Sequence, residues 1–537
     1  TYSFYNDHGR LEEVFYPDFT TEIYQYTPLD QISQVTDSRG VTTYTYDNRD
    51  RLSTVTNPDG SSLAYTYDSA VSRLTVTVPS GTTKYTYDSL NRIHIVTDPD
   101  GGVTTYTYHP NGKIDTVTYP NGTVADHDYD ALGRLTYLGN RKSDGTIISN
   151  YNYTLDANGN RTRIVESDGR TVDYAYDGLD RLLTETITNP DLSALSYAYS
   201  YDAVGNRLTK EFCEDGVCET TTYAYNANNQ LTGETTAGGV TTYLYDLNGN
   251  TTQKTVDGVV DTVYGYDHRN RLVEADTPAA LVEYAYDAEG IRVQKIVDGT
   301  AVNYLVDKNL PFAQVLEERD QAGVLLAGYV YGNDLISMER GGADAYFHYD
   351  GLGSTRALTD ASQAVTDTYT YEAFGDVLAR AGGSVNAYLF TGEQLDPEVG
   401  FYYLRARYYD PALGRFVTMD EWEGLRLSPL TLIEYLYAHA NPVIGFDPSG
   451  QMTLTETSIV QSVQAYLRTV GMRAAAAFAA GGGAIGRFWN ELGRYAQSVC
   501  YQVLRLNPRA FPKPIPVNNV LGPEKIRIMD FSVKIGE

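Results

Sequence analysis

Residues 41–60 read VTTYTYDNRDRLSTVTNPDG. Tyr44 and Tyr46 alternate with Thr, the period-two pattern of an extended strand, and aromatic and β-branched residues favour that conformation. Asp47 and the polar run behind it form a turn, because an Asp side chain caps backbone N–H groups and Asp, Asn and Gly tolerate positive φ. A second strand of the type RLSTVT follows, and Pro58-Asp59-Gly60 closes it as a hairpin turn. One unit is thus two short strands and two turns.

The unit recurs. Tyr-Asp returns at Tyr67-Asp68, Tyr87-Asp88, Tyr129-Asp130, Tyr176-Asp177, Tyr201-Asp202, Tyr245-Asp246, Tyr266-Asp267, Tyr286-Asp287 and Tyr349-Asp350. Weaker copies such as Tyr26-Thr27, Tyr108-His109 and Tyr225-Asn226 fill the gaps. Slots about 20 residues apart are the signature of a repeat architecture. A lone hairpin is marginal in water. About twenty of them side by side satisfy one another's edges as one continuous sheet, which must twist and curl. The expected fold is therefore all-β, a spiral of hairpins forming a hollow shell. The tyrosines read as packing residues of a half-buried sheet, not as catalysts or a platform for stacking bases.

The 537 residues include 48 Tyr, 48 Gly and 3 Cys, and carry 41 Lys+Arg against 69 Asp+Glu, a net charge of −28. So acidic a chain argues against nucleic-acid binding by the shell. No apolar run of 18 residues is present, so no membrane span is expected. Nothing implies a cofactor or a metal: Asp156–Asn160 and Asp246–Asn250 resemble calcium loops but lack the distal Glu and sit in the turn slot. Cys213 and Cys218 flank an Asp-Gly turn, where a disulfide, suited to an oxidising compartment, and two reduced thiols are both open. The chain opens TYSFYNDHGR, without Met or a signal pattern, as an internal or processed piece would.

From residue 346 the pattern changes, through HYDGLGSTRALTD (348–360), YTYEAFGDVL (369–378), FTGEQLDPEVGFYYLRARYYDPALGRFVTMD (390–420) and YLYAHANPVIGFDPSG (435–450). With repeats over 1–345, the chain resembles the Rhs/YD-repeat proteins, and 346–450 resembles their Rhs-associated core domain. The resemblance implies a cocoon-like shell, similar to Tc toxin C subunits, with the core as a plug at one end. It implies a secreted, extracellular or cell-surface bacterial polymorphic toxin that encloses its own C-terminal segment. Implied partners are another β-shell subunit or a secretion-machine component, and an immunity protein.

The resemblance also implies that the core cuts the chain once, in the manner of an aspartic protease. The family's two Asp-Pro-x-Gly motifs place the acids at Asp420 and Asp447. Asp447-Pro448-Ser449-Gly450 is intact, whereas Asp420-Glu421 keeps the Asp and lacks the Pro. Two carboxylates at one site cannot both ionise cheaply, so one serves as base toward water and the other as acid. The cut falls in the stretch Gly450, Gln451, Met452, with Gln451 where the family has Leu. Arg407 and Arg415, with Arg405 nearby, are the supporting basic candidates. The alternative is that the acids are turn formers and the arginines their structural partners.

Residues 451–537 carry ten Lys/Arg against five Asp/Glu, positive by five, while the remainder carries −33. Thr453-Leu-Thr-Glu456 resembles a capping box. Apolar stripes from Ile459 to Val470 and from Ile485 to Val503 predict a small, mainly helical tail in the toxin position. This tail has no His and only scattered acids, so a complete enzyme is not expected there. A competing reading of the chain is a cell-surface adhesin or structural protein that binds glycan or partner cells.

Overall fold

The computed structural model describes residues 1–69, 72–421, 429–451 and 453–455. Thirty-six strands, from Tyr2–Tyr5 to Val377–Ala381, form one sheet in which each strand runs antiparallel to its neighbours in sequence. In four successive early repeats the first Tyr of Tyr-x-Tyr lies across from a Val: Tyr44 from Val55, Tyr65 from Val76, Tyr85 from Val96 and Tyr106 from Val117. Such aromatic and β-branched pairs each contribute about 0.2–1 kcal/mol. The second Tyr turns its hydroxyl onto the preceding repeat. Tyr46 donates to the Ile32 carbonyl at 2.7 Å, Tyr67 to Leu52 at 2.7 Å and Tyr108 to Ile93 at 2.6 Å.

The Asp and Arg of the motif tie each repeat to the next. Asp47 Oδ1 accepts the N–H groups of Arg49 and Arg51 at 2.9 and 3.0 Å, and its Oδ2 lies 2.6 Å from the Arg51 guanidinium. Arg51 then reaches forward, donating to the Asp68 carbonyl at 2.7 Å and lying 4.7 Å from the centre of the Tyr67 ring. Arg181 and Arg271 do the same toward Tyr201 and Tyr286. The third residue after the Asp takes positive φ, 61° at Asp50 and 77° at Gly133, which is why Gly, Asn and Asp hold that slot. In the calcium-like loop, Asp246 Oδ1 accepts the N–H groups of Asn248 and Asn250, and Oδ2 accepts the Asn250 amide, so both oxygens serve the turn.

The sheet winds over itself. Contacts between successive turns join Arg269 to Glu22, 247 residues apart, Tyr65 to Asp307, 242 apart, and Asn121 to Asp360, 239 apart. Toward the core they join Asn140 to Tyr349, 209 apart, Arg356 to Glu166, 190 apart, and Tyr199 to Glu372, 173 apart. The spiral tapers. Between Ser62–Tyr67 and Thr300–Asp307 one turn takes 22 strand-to-strand steps. At ~4.8 Å per step that is a circumference of roughly 105 Å and a diameter of roughly 33 Å. Side chains fill a barrel of about 8 strands, whereas rings of about 16 or more leave a lumen. The wall therefore surrounds a space.

After Ala381 the chain leaves the spiral and forms a four-stranded sheet, Gln394–Asp396, Phe401–Leu404, Arg407–Asp410 and Arg415–Phe416. This cap rests on a rim of Tyr-Asp turns. Asn441 donates to Asn160 at 3.0 Å, Tyr435 to the Gly249 carbonyl at 2.7 Å, Thr251 to the Val417 carbonyl at 2.8 Å, and Arg292 pairs with Asp396. Tyr409 and Tyr437 stack beneath it with ring centres 3.9 Å apart.

Thr453-Leu454-Thr455 does not begin a helix. Leu454–Thr455 pair with Gly445–Phe446, and burying Leu454 against the core outweighs the capping pattern. The two tail helices expected from Ile459 to Val470 and from Ile485 to Val503 lie outside the described residues. Cys213 and Cys218 face each other on the hairpin of Arg207–Glu214 and Val217–Tyr225, and their sulfurs are bonded. Among the described residues, no helix is long and apolar enough to cross a membrane.

Candidate active site in the core

Phe401–Leu404 and Arg407–Asp410 pair through a two-residue turn, Arg405-Ala406, which sets two arginines on one tip. Arg407 is buried, and its guanidinium stacks 3.6 Å from the centre of the Phe416 ring. Its Nη2 lies 2.7 Å from Asp420 Oδ2 and 3.8 Å from Asp447 Oδ2, so the two expected acids flank one nitrogen. Nη1 donates to the Glu434 carbonyl at 2.6 Å, and Nε donates to the Gly450 carbonyl. Burial lowers the Arg407 guanidinium from its ordinary value, against the opposing pull of Asp420 and Asp447.

Asp447 also holds the chain beyond it. Its Oδ1 accepts the Ser449 N–H at 3.2 Å, the Ser449 hydroxyl at 2.9 Å and the Gln451 N–H at 3.2 Å. The Gly450–Gln451 amide is thus held at both ends, its oxygen by Arg407 and its N–H by Asp447. Gly450 has φ +69°, and a Cβ there would lie 2.4 Å from the Leu404 carbonyl oxygen and 2.9 Å from the Arg407 nitrogen. Only glycine fits. Met452 lies outside the described residues.

Arg415 goes elsewhere. It donates to the Asn229 carbonyl at 2.7 Å, between the rings of Tyr225 and Tyr435, and so fastens the cap to the wall. The reason is strand alternation: Phe416 turns toward Arg407, and its neighbour Arg415 turns the other way. Two participants were not legible in the sequence. Glu393 is buried and grips Arg405 with both oxygens, at 2.8 and 2.9 Å; burial raises its carboxyl and Arg405 opposes that. A carboxylate directly after Phe390-Thr391-Gly392, upstream of Arg-x-Arg, is the one signal for it. Glu434 contributes only a backbone carbonyl, which no side-chain pattern reveals. His439 is held below its ordinary value by burial, with the Asp447 charge acting against this. A cavity of about 340 Å³ borders the site, with Ala313, Glu393, Arg405 and Pro448 in its lining. Elsewhere among the described residues, Glu211, Cys213 and Cys218 cluster as metal ligands might, but both sulfurs are taken by the disulfide.

The teneurin YD-shell family matches residues 62–140, 82–190 and 161–443, and the RHS repeat matches 26–62. The chain belongs to the YD-shell family. This YD-shell chain is 31% identical over 269 residues to the tRNA3(Ser)-specific nuclease WapA of Bacillus spizizenii, over 47% of the chain and 11% of WapA. It is 32% identical over 106 residues to toxin protein Tse5 of Pseudomonas aeruginosa, over 20% of the chain and 8% of Tse5. The crystal structure of TcdB2-TccC3 without its hypervariable C-terminal region has the same fold, with a TM-score of 0.68 at 17% identity, over 82% of this chain and 26% of that one. The chain thus spans about a tenth of these curated relatives and about a quarter of the TcdB2-TccC3 chain. The all-β shell expected from the repeat is the fold observed.

Proposed function

We propose that this chain is the wall and closing cap of a secreted toxin's shell, which encloses its own C-terminal segment and frees it by cutting the main chain in the stretch Gly450, Gln451, Met452. The observation that carries the cut is Arg407, set between Asp420 and Asp447 while its Nε–H donates to the Gly450 carbonyl. In the proposed chemistry, water adds to a peptide carbonyl polarised from the Arg407 side, and one Asp takes the water's proton. The other returns a proton to the leaving amide nitrogen, and the products are a carboxylate and an amine. Asp447 suits the acid role because its Oδ1 lies 3.2 Å from the Gln451 nitrogen, the leaving atom of a cut between Gly450 and Gln451. Loss of the Pro after Asp420 does not disqualify that residue, since its carboxylate still reaches Arg407.

Enclosure is supported by the hollow wall and by charge, a tail positive by five beside a shell of −33. The names of WapA, a nuclease, and Tse5, a toxin, agree with a toxin reading. Intact mass of the purified chain tests the cut. The expected result is a break within Gly450–Met452 that Asp420→Asn and Asp447→Asn each abolish; a chain that stays whole on prolonged incubation overturns it.

A further inference from the structure

The turn between the two core strands does more than connect them. Arg405 has φ +62°, a left-handed conformation that non-glycine residues seldom adopt. In this conformation three consecutive residues of the turn meet three consecutive carbonyls of the Asp447 motif. The Arg405 guanidinium donates to Pro448, the Ala406 N–H to Ser449 at 3.2 Å, and Arg407 Nε to Gly450. Arg405 is itself fixed from two further sides. Glu393 holds it with both carboxylate oxygens, and its Nε donates to the Ala313 carbonyl of the wall at 3.2 Å.

We propose that Arg405, braced by Glu393, is a positioning residue that clamps residues 448–450 in register with Arg407 and Asp447, and that its bond to Ala313 makes cutting depend on the cap being seated on the wall. The inference rests on the self-cleavage reading. Neither side chain touches the reacting amide; each acts through where it puts the chain. Both Glu393 oxygens and the Pro448 carbonyl converge on one nitrogen, Nη1, while Nε is held by the Ala313 carbonyl, so the guanidinium is fixed at two points, which a lone carbonyl contact does not do. Placement errors of about 1 Å at a reacting group cost on the order of a hundredfold in rate.

The test follows cleavage of the full chain by intact mass across pH, with far-UV circular dichroism and melting as controls. Arg405→Ala is expected to slow the cut at least tenfold while the β signal persists. Arg405→Lys should recover part of the rate, since one ammonium can meet Glu393 and the Pro448 carbonyl but has no second nitrogen for the Ala313 carbonyl. In the unaltered chain, protonation of Glu393 at acid pH should release Arg405 and slow the cut; Glu393→Gln should slow it at neutral pH and flatten that acid limb. Wild-type rates and pH profile in Glu393→Gln overturn the clamp, even if Arg405→Ala fails to fold. Should the unaltered chain not cut at all, the self-cleavage reading falls, and hydrogen exchange decides the clamp. The amides of Ser449, Gly450 and Gln451 should then be protected in the full chain and lose protection in Glu393→Gln; unchanged protection overturns it.

Discussion

The wall and the cap are built from similar residue types held in opposite ways. In the wall, the motif Arg pairs with the Asp four residues before it and covers the Tyr of the next repeat, a local contact with many copies beside the longer ones that join successive turns. Where the cap meets the wall, Arg292 pairs with Asp396, and within the cap Arg407 pairs with Asp420 and Asp447, single contacts between different segments. Redundancy makes the wall tolerant of any one loss. The cap's ion pairs have no such copies, so its stability hangs on a few buried charges.

The sharpest way to break this contrast is Arg292→Ala. Arg292 is 2% exposed, its ring neighbour Tyr403 lies 4.2 Å away, and its removal leaves Asp396 buried with Lys295 as its remaining cation. A loss of about 3–5 kcal/mol is expected, seen in calorimetry as a cap that melts ahead of the wall.

The seam between successive turns of the wall should respond to pH. Burial first, and then the charge of Glu372, push the Glu185 carboxyl up to about 8, with Arg170 and Lys210 pulling against this. Glu185 accepts the Ala373 N–H at 2.9 Å, and Glu372 accepts the Tyr199 hydroxyl at 3.0 Å. The folded chain thus keeps a proton that the unfolded chain releases near the ordinary carboxylate value. Stability is fully present below that value and is lost as pH rises through about 8, by a few kcal/mol. Melting temperatures should fall from about pH 5 to pH 9, and Glu185→Gln should remove most of the fall.

Smaller effects are expected in the wall. Cys218→Ser opens a short loop on an exposed hairpin and should cost about 2 kcal/mol against local opening, read by hydrogen exchange, with little change in the main melt. Tyr46→Phe removes one hydroxyl bond to Ile32 and should cost about 1 kcal/mol by denaturant titration. A large loss from Tyr46→Phe would refute the redundancy of the wall.

What could be read beforehand follows the same division. The Tyr-Asp turns, the strand pattern and the expectation of a curling sheet were legible because each depends on residues within one repeat. Asp420, Asp447 and Arg407 were found through motifs, and they do meet. Arg415, two residues after Leu413 in the same motif-rich stretch, turns toward Asn229 because strand parity decides where a side chain points. Glu393 escaped notice because its partner Arg405 lies in a turn 12 residues on, beyond any local pattern. Thr453–Thr455 read as a helix start because the capping pattern is local, whereas the strand formed with Gly445–Phe446 is not.

From the order of its residues alone, this protein was committed to repeated hairpins and an all-β wall, since periodic polarity and turn chemistry act over a few residues. Which acids share Arg407, and how Gly450 passes within reach of Leu404, were decided by how the cap folds on itself, and which arginine instead fastens the cap to Asn229 by the closing of the spiral. Each of those contacts joins segments that no local pattern relates.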